Sequence, residues 1–288
     1  MKKIKLMSLL LISGGLFAQA SLAYSSSTND CGEDTTDGIS WSYCITKTKE
    51  SKNPDVAYFL HGIYGSEYEW VKQNSEVVDQ WEKTKQDPPT VVSISFGNVW
   101  FLVPHQYVTQ ESAYMETLMN SILPLLEKKI GGLTGRRMLI GRSMGGFNAT
   151  ELFLMYPKSF ERVALICPVL AKISPFADDE AYDDFIEKSG GVAQYVNFAR
   201  ETAKNLFKDE ASWIATDPFH LAPVALGPSF PKLYVSIGDA DEFGISQDVE
   251  FFAQIAKTKR VPSVEWHSVH AGHCSFDPVA LANFLVKR

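Results

Sequence analysis

The chain has 288 residues, is 45% apolar, and sets 27 Lys and Arg against 34 Asp and Glu for a formal charge of −7. That acidic balance argues against a nucleic-acid partner, which needs clustered basic side chains to meet phosphates. No internal repeat or low-complexity tract points to a solenoid.

In chain order, a basic start (Met1 to Lys5) leads into an apolar run over 6–17 and then small residues at Ala18, Ala20, Ser21 and Ala23. This order predicts a secretory signal peptide over 1–23, cut after Ala20 or Ala23. The apolar run falls short of the roughly 20 residues that span a bilayer, so no stable membrane anchor is expected. Cleavage removes Lys2, Lys3 and Lys5 and no acid, taking the charge from −7 to −10. The mature protein is expected to be secreted or periplasmic, and the 4 cysteines suit an oxidising compartment. Residues 24–38 are polar and read as a leader, with structure starting in 39–48. Cys31 and Cys44 are expected to form a disulfide that staples the entry strand. The pairing of Cys167 and Cys274 stays open.

From there the chain alternates. Short β-rich runs at 56–60, 90–96, 138–141, 162–167, 232–237 and 263–268 are separated by helical patterns at 110–129, 145–156, 247–257 and 279–286. Strands alternating with helices predict an α/β fold with a mostly parallel central sheet and helices on both faces. One domain over 39–288 accommodates this pattern. The interval from about 169 to 230 is too long for a simple connection and looks mostly helical over 181–207, so it is expected to be a helical cap insertion before the penultimate strand.

The chemistry concentrates at three strand ends. In Met138-Leu139-Ile140-Gly141-Arg142-Ser143-Met144-Gly145-Gly146, a strand passes into a helix through Gly-x-Ser-x-Gly. Such a turn strains the serine backbone and lifts its hydroxyl to a helix N-terminus, which favours developing negative charge. Ser143 is therefore the expected nucleophile. Oxyanion donors are expected from the Met144 amide and from the loop Phe59-Leu60-His61-Gly62-Ile63-Tyr64-Gly65, with Ile63 first and Tyr64 second. His61 is expected to fix that loop rather than act as a base.

The base should be a histidine late in the chain and the acid should follow the penultimate strand. His273, in Ala271-Gly272-His273 before the final helix, is the leading base, with His270 as alternative. Asp241, three residues beyond Gly238, is the leading acid, with Asp239 as alternative; Glu242 suits a solvated loop face. The spacing of His267, His270 and His273 also suggests a metal site, but a strand residue and a loop residue do not converge as ligands on one helix do, and no metal or other cofactor is expected. Tyr64, Trp100 and Phe101 are candidate substrate contacts, although aromatics beside a parallel sheet are more often core.

Together these residues resemble the esterase D branch of the α/β-hydrolases, which includes feruloyl and acyl esterases and S-formylglutathione hydrolases and to which mycolyltransferases are similar. The matching pieces are His61-Gly62-Ile63-Tyr64-Gly65-Ser66-Glu67 with Trp70, Gly141 to Gly146, Gly238-Asp239-Ala240-Asp241-Glu242 and Gly272-His273. Trp213, Asp217-Pro218 and Leu221-Ala222 also look like the family's stretch before the acid-bearing strand. The resemblance implies the α/β-hydrolase fold and cofactor-free hydrolysis of a small carboxylic ester or thioester. Some feruloyl esterases and tannases bridge cysteines beside both serine and histidine; here Cys274 follows His273 but Arg142 precedes Ser143. Cytosolic S-formylglutathione hydrolases also lack the export signal read here. Acyl transfer to an alcohol would use the same residues, whereas a catalytically silent binding protein should have lost one of them. No composition or spacing specifies an oligomeric state.

Overall fold

The computed structural model describes residues 27–49, 51–100, 102–110 and 112–287. The expected signal peptide and Phe101 lie outside the described residues. A single eight-stranded sheet organises the rest, in the order β1-β2-β4-β3-β5-β6-β7-β8. Its strands are β1 (Ser27–Thr36), β2 (Ile39–Thr48), β3 (Val56–Leu60), β4 (Thr90–Ser95), β5 (Arg137–Arg142), β6 (Arg162–Ile166), β7 (Lys232–Gly238) and β8 (Val264–Val269). β1 and β2 pair antiparallel, as do β2 and β4, and every other pair is parallel. This is the mostly parallel α/β sheet that the alternation of strands and helices predicts, in the α/β-hydrolase arrangement that the resemblance implies.

Strands β3, β4 and β6 are buried at every position, the pattern of parallel strands covered on both faces. The cover comes from α1 (Glu69–Gln73), α2 (Ser75–Thr84), α3 (Tyr114–Thr117), α4 (Leu123–Lys129), α5 (Met144–Met155), α10 (Ser246–Thr258) and α11 (Pro278–Val286). A π-helical turn, Leu118–Ile122, joins α3 to α4, so the one helix expected over 110–129 is a composite. Among the described residues no helix is long and apolar enough to cross a membrane.

The leader expected over 24–38 is corrected for its greater part, because residues 27–36 form β1. The strand pairs residue by residue with β2 through Thr36↔Ile39. Asp37 and Gly38, with φ of 53° and 78°, make the turn. Asp-Gly supplies the two left-handed residues that a tight hairpin loop requires. β1 buries little because it is an edge strand, where polar side chains discourage further pairing. Cys31 lies opposite Cys44 in this register and is bonded to it.

Between β6 and β7 the insertion folds as α6 (Asp179–Ser189), α7 (Ala193–Leu206), α8 (Glu210–Thr216) and α9 (Pro218–Ala225). Asp178, Asp209 and Asp217 cap α6, α8 and α9 by accepting from Ala181, Ser212 and Phe219 amides. Gly190, at φ 71°, ends α6. α6 and α7 wall a cavity of about 60 Å³, lined also by Trp100, Phe147, Trp213 and Phe243.

Candidate active site

Ser143 is the residue between β5 and α5, with φ 52° and ψ −115°. A non-glycine residue in that region carries strain and persists only where its surroundings over-determine it. Here the Ser143 amide donates to Ile166 of the next strand at 2.9 Å, and its carbonyl accepts from the Phe147 amide at 3.0 Å. Side chains are excluded two residues to either side. A Cβ at Gly141 would lie 2.6 Å from that of Ala149, and one at Gly145 would lie 2.6 Å from the His61 carbonyl oxygen. The motif spacing thus follows from close backbone approach.

The Ser143 Oγ lies 2.9 Å from Nε2 of His273. His273 Nδ1 lies 2.5 Å from Asp241 Oδ2. An ionised carboxylate only accepts, so Nδ1–H donates to Asp241 and Nε2 is left to accept from the serine hydroxyl. The Asp241 side chain is wholly removed from solvent, and its Oδ1 accepts from the Phe243 amide at 2.8 Å. The Phe243 ring packs 4.7 Å from the imidazole.

The alternatives fall elsewhere. Asp239 pairs with His270 at 2.9 Å, but the His270 side chain is 97% exposed. The bond to Asp239 raises the pKa of His270. His267 belongs to β8 and stacks on Tyr234 with ring centroids 4.8 Å apart. The three histidines therefore engage three separate partners. Cys167, His273 and Cys274 come close enough to suggest metal ligands, but both thiols are consumed in a disulfide.

The glycine loop sits beside the serine, since a Cβ on Gly62 would lie 3.5 Å from that of Ser143. His61 braces it: Nδ1 donates to the Gly62 carbonyl at 2.7 Å, which leaves Nε2 to accept from Ser95 Oγ at 2.8 Å. The Tyr64 amide donates to Asn98 Oδ1 at 2.8 Å, while Tyr64 as a whole is 81% exposed. Arg142 reaches α1, with Nη1 3.6 Å from Glu69 Oε1, and Glu69 links α1 to the glycine loop, its Oε2 accepting from the Gly62 amide at 3.3 Å. Burial raises the Glu69 carboxyl above its ordinary pKa against the opposing pull of Arg142. Trp100 is buried and walls the cavity under the insertion.

Two contacts were not legible as function in the sequence. Glu242, expected on a solvated face, accepts from the His273 backbone amide through Oε2 at 2.6 Å. Cys274 is bonded to Cys167, the residue just after β6. The bridge thus runs from the histidine loop to the strand whose last carbonyl holds the Ser143 amide, not to a neighbour of the serine.

Residues 42–282 match the model of the Esterase family, described as “Putative esterase”. The chain belongs to this family. It is an esterase-type hydrolase of the α/β-hydrolase fold, in the branch that the motifs resemble. Among solved structures it is similar to a ferulic acid esterase, at 16% identity and a TM-score of 0.64, over 91% of this chain and 98% of that one. It is also similar to an S-formylglutathione hydrolase from Agrobacterium tumefaciens, at 17% identity and a TM-score of 0.60, over 90% of this chain and 92% of that one. A fungal esterase from Rhizomucor miehei gives 17% and 0.63, over 90% and 84% of the two chains. At these identities the likeness to the esterase structures is one of fold. Among curated proteins no sequence matches this chain.

Proposed function

We propose that this esterase is exported and hydrolyses a small carboxylic ester through an acyl-Ser143 intermediate, with His273 as general base and acid and Asp241 as its orienting carboxylate. The observation that carries the reading is the relay from Ser143 Oγ to His273 Nε2 at 2.9 Å and from His273 Nδ1 to Asp241 at 2.5 Å. His273 takes the serine proton as the ester carbonyl is attacked, then returns it to the leaving alcohol. Water attacks the acyl-enzyme with His273 again as base, releasing the acid. The oxyanion is assigned to the amides of Met144 and Ile63, because the Tyr64 amide is engaged by Asn98. Trp100 and Tyr64 are proposed substrate contacts. The two disulfides favour an oxidising compartment, in keeping with export.

The test is turnover of p-nitrophenyl esters by wild type and Ser143→Ala. The variant should lose on the order of 10⁶ in rate while staying folded; activity within about tenfold of wild type would sink the assignment. Product analysis, with and without glycerol, should find free acid as the main product. Ester products dominating once the acceptor is present would favour acyl transfer.

A further inference from the structure

We infer that Glu242 is a positioning residue for His273: its carboxylate holds the histidine backbone in place and so sets the imidazole against Ser143. The inference rests on the assignment of Ser143, His273 and Asp241 as the reacting groups.

Three consecutive residues grip the one histidine from three directions. Asp241 takes the ring at Nδ1, Glu242 Oε2 takes the backbone amide at 2.6 Å, and the Phe243 ring packs against the imidazole with centroids 4.7 Å apart. A hydrogen bond at Nδ1 alone lets the ring swing with its loop, whereas a second bond to the main chain of the same residue removes that pivot. Local sequence makes room for the carboxylate. A Cβ on Gly272, just before the histidine, would lie 2.6 Å from Glu242 Oε1. The amide in turn holds the Glu242 carboxyl below the ordinary glutamate range, so the acceptor is ionised at neutral pH. Glu242 is itself anchored, because its carbonyl accepts from the Val192 amide at the start of α7 at 2.7 Å. The histidine is thereby tied, through one residue, to the seating of the insertion.

A merely structural glutamate would affect stability and leave the chemical step alone, and this separates the two roles. Wild type and Ser143→Ala are first compared on p-nitrophenyl acetate. If they do not differ, the assignment of the reacting groups fails and Glu242 is not at issue. With that difference established, Glu242→Ala should lower kcat by about 10- to 100-fold, the cost of a misplaced catalytic group, with KM within about twofold. Glu242→Gln keeps an oxygen that can accept from the same amide and should retain kcat within about threefold. Labelling of Ser143 by a fluorophosphonate should slow in parallel with kcat in the alanine variant, because it needs the same proton transfer. A kcat for Glu242→Ala within about twofold of wild type, a Gln variant as damaged as the Ala variant, or a loss confined to KM would each overturn the inference. Should Glu242→Ala fail to fold, Gly272→Ala decides: it displaces the carboxylate without removing it, so it should reproduce the kcat loss, and wild-type kcat there would overturn the inference.

Discussion

Two aspartate–histidine pairs join the same two loops, the one after β7 and the one after β8. Asp239 meets His270 at 2.9 Å and Asp241 meets His273 at 2.5 Å. In chain order and residue type they are near duplicates, and both involve Nδ1 of the histidine. They differ in what surrounds them. His270 is almost fully in water, while the Asp241 side chain is closed off from it and His273 is 16% exposed. Water screens the first pair to little more than a surface contact. The second acts at lower effective dielectric and has a third partner, Ser143, on its free nitrogen. A histidine bonded to a carboxylate is therefore no sign of a general base by itself. What sets His273 apart is the burial of its carboxylate partner and the Ser143 hydroxyl on its far nitrogen.

The widest way to test that contrast is to break each pair in turn. Asp241→Asn should leave the imidazole in the wrong tautomer and cut turnover of a p-nitrophenyl ester by about 10⁴, and His273→Ala by more. Asp239→Asn and His270→Ala should cost no more than about tenfold. If the second pair proves the more damaging, the acid and base are the exposed residues and the burial argument fails.

A second contrast is covalent: Cys274 follows His273 and is bonded to Cys167, while Cys31 and Cys44 bond across the edge hairpin. Both bonds stabilise the fold by restricting the unfolded chain, by roughly 3 kcal/mol for the shorter loop if closure entropy dominates. Only the first adjoins the histidine. Cys167→Ser with Cys274→Ser should therefore lower kcat by about tenfold or more, because the histidine loop gains freedom. Cys31→Ser with Cys44→Ser should lower the melting temperature and leave kcat alone. Equal kcat in the two double variants would show that the bridge beside His273 has no part in placing it.

These contrasts also mark what the sequence could reveal. Gly141, Ser143 and Gly145 were legible because their spacing follows from local geometry, a strand turning into a helix with backbone on both sides. His273 and Asp241 were legible from chain order and their distance from strand ends. Glu242 was not, because its partner is an amide 31 residues away and only the folded loops bring the two together. The Cys167–Cys274 bridge spans 107 residues and depends on the strand order of the sheet. β1 was missed for another reason. Its polar composition reads as a leader, since an edge strand gains from pairing what it does not gain from burial.

A third carboxylate extends the comparison to an acid that is buried and has no histidine. Glu151 lies on α5, is fully buried, and neither of its oxygens has a hydrogen-bond partner among the described residues. Burial raises its pKa well above the ordinary value of 4.5, and the nearby Asp217 adds to the shift. The folded chain therefore keeps a proton that the unfolded chain gives up once the pH passes about 4.5. Where the native state binds the extra proton, stability falls as the pH rises, up to the folded-state pKa. Glu151→Gln removes that titration while keeping the shape. The variant should melt at least about 2 °C above wild type at pH 8, and the gap should narrow steadily as the pH falls toward the glutamate range. Thermal melts at a series of pH values measure this directly. A gap independent of pH, or a variant less stable at pH 8, would mean that Glu151 is ionised and compensated in the folded protein, and that burial without a partner does not set its charge.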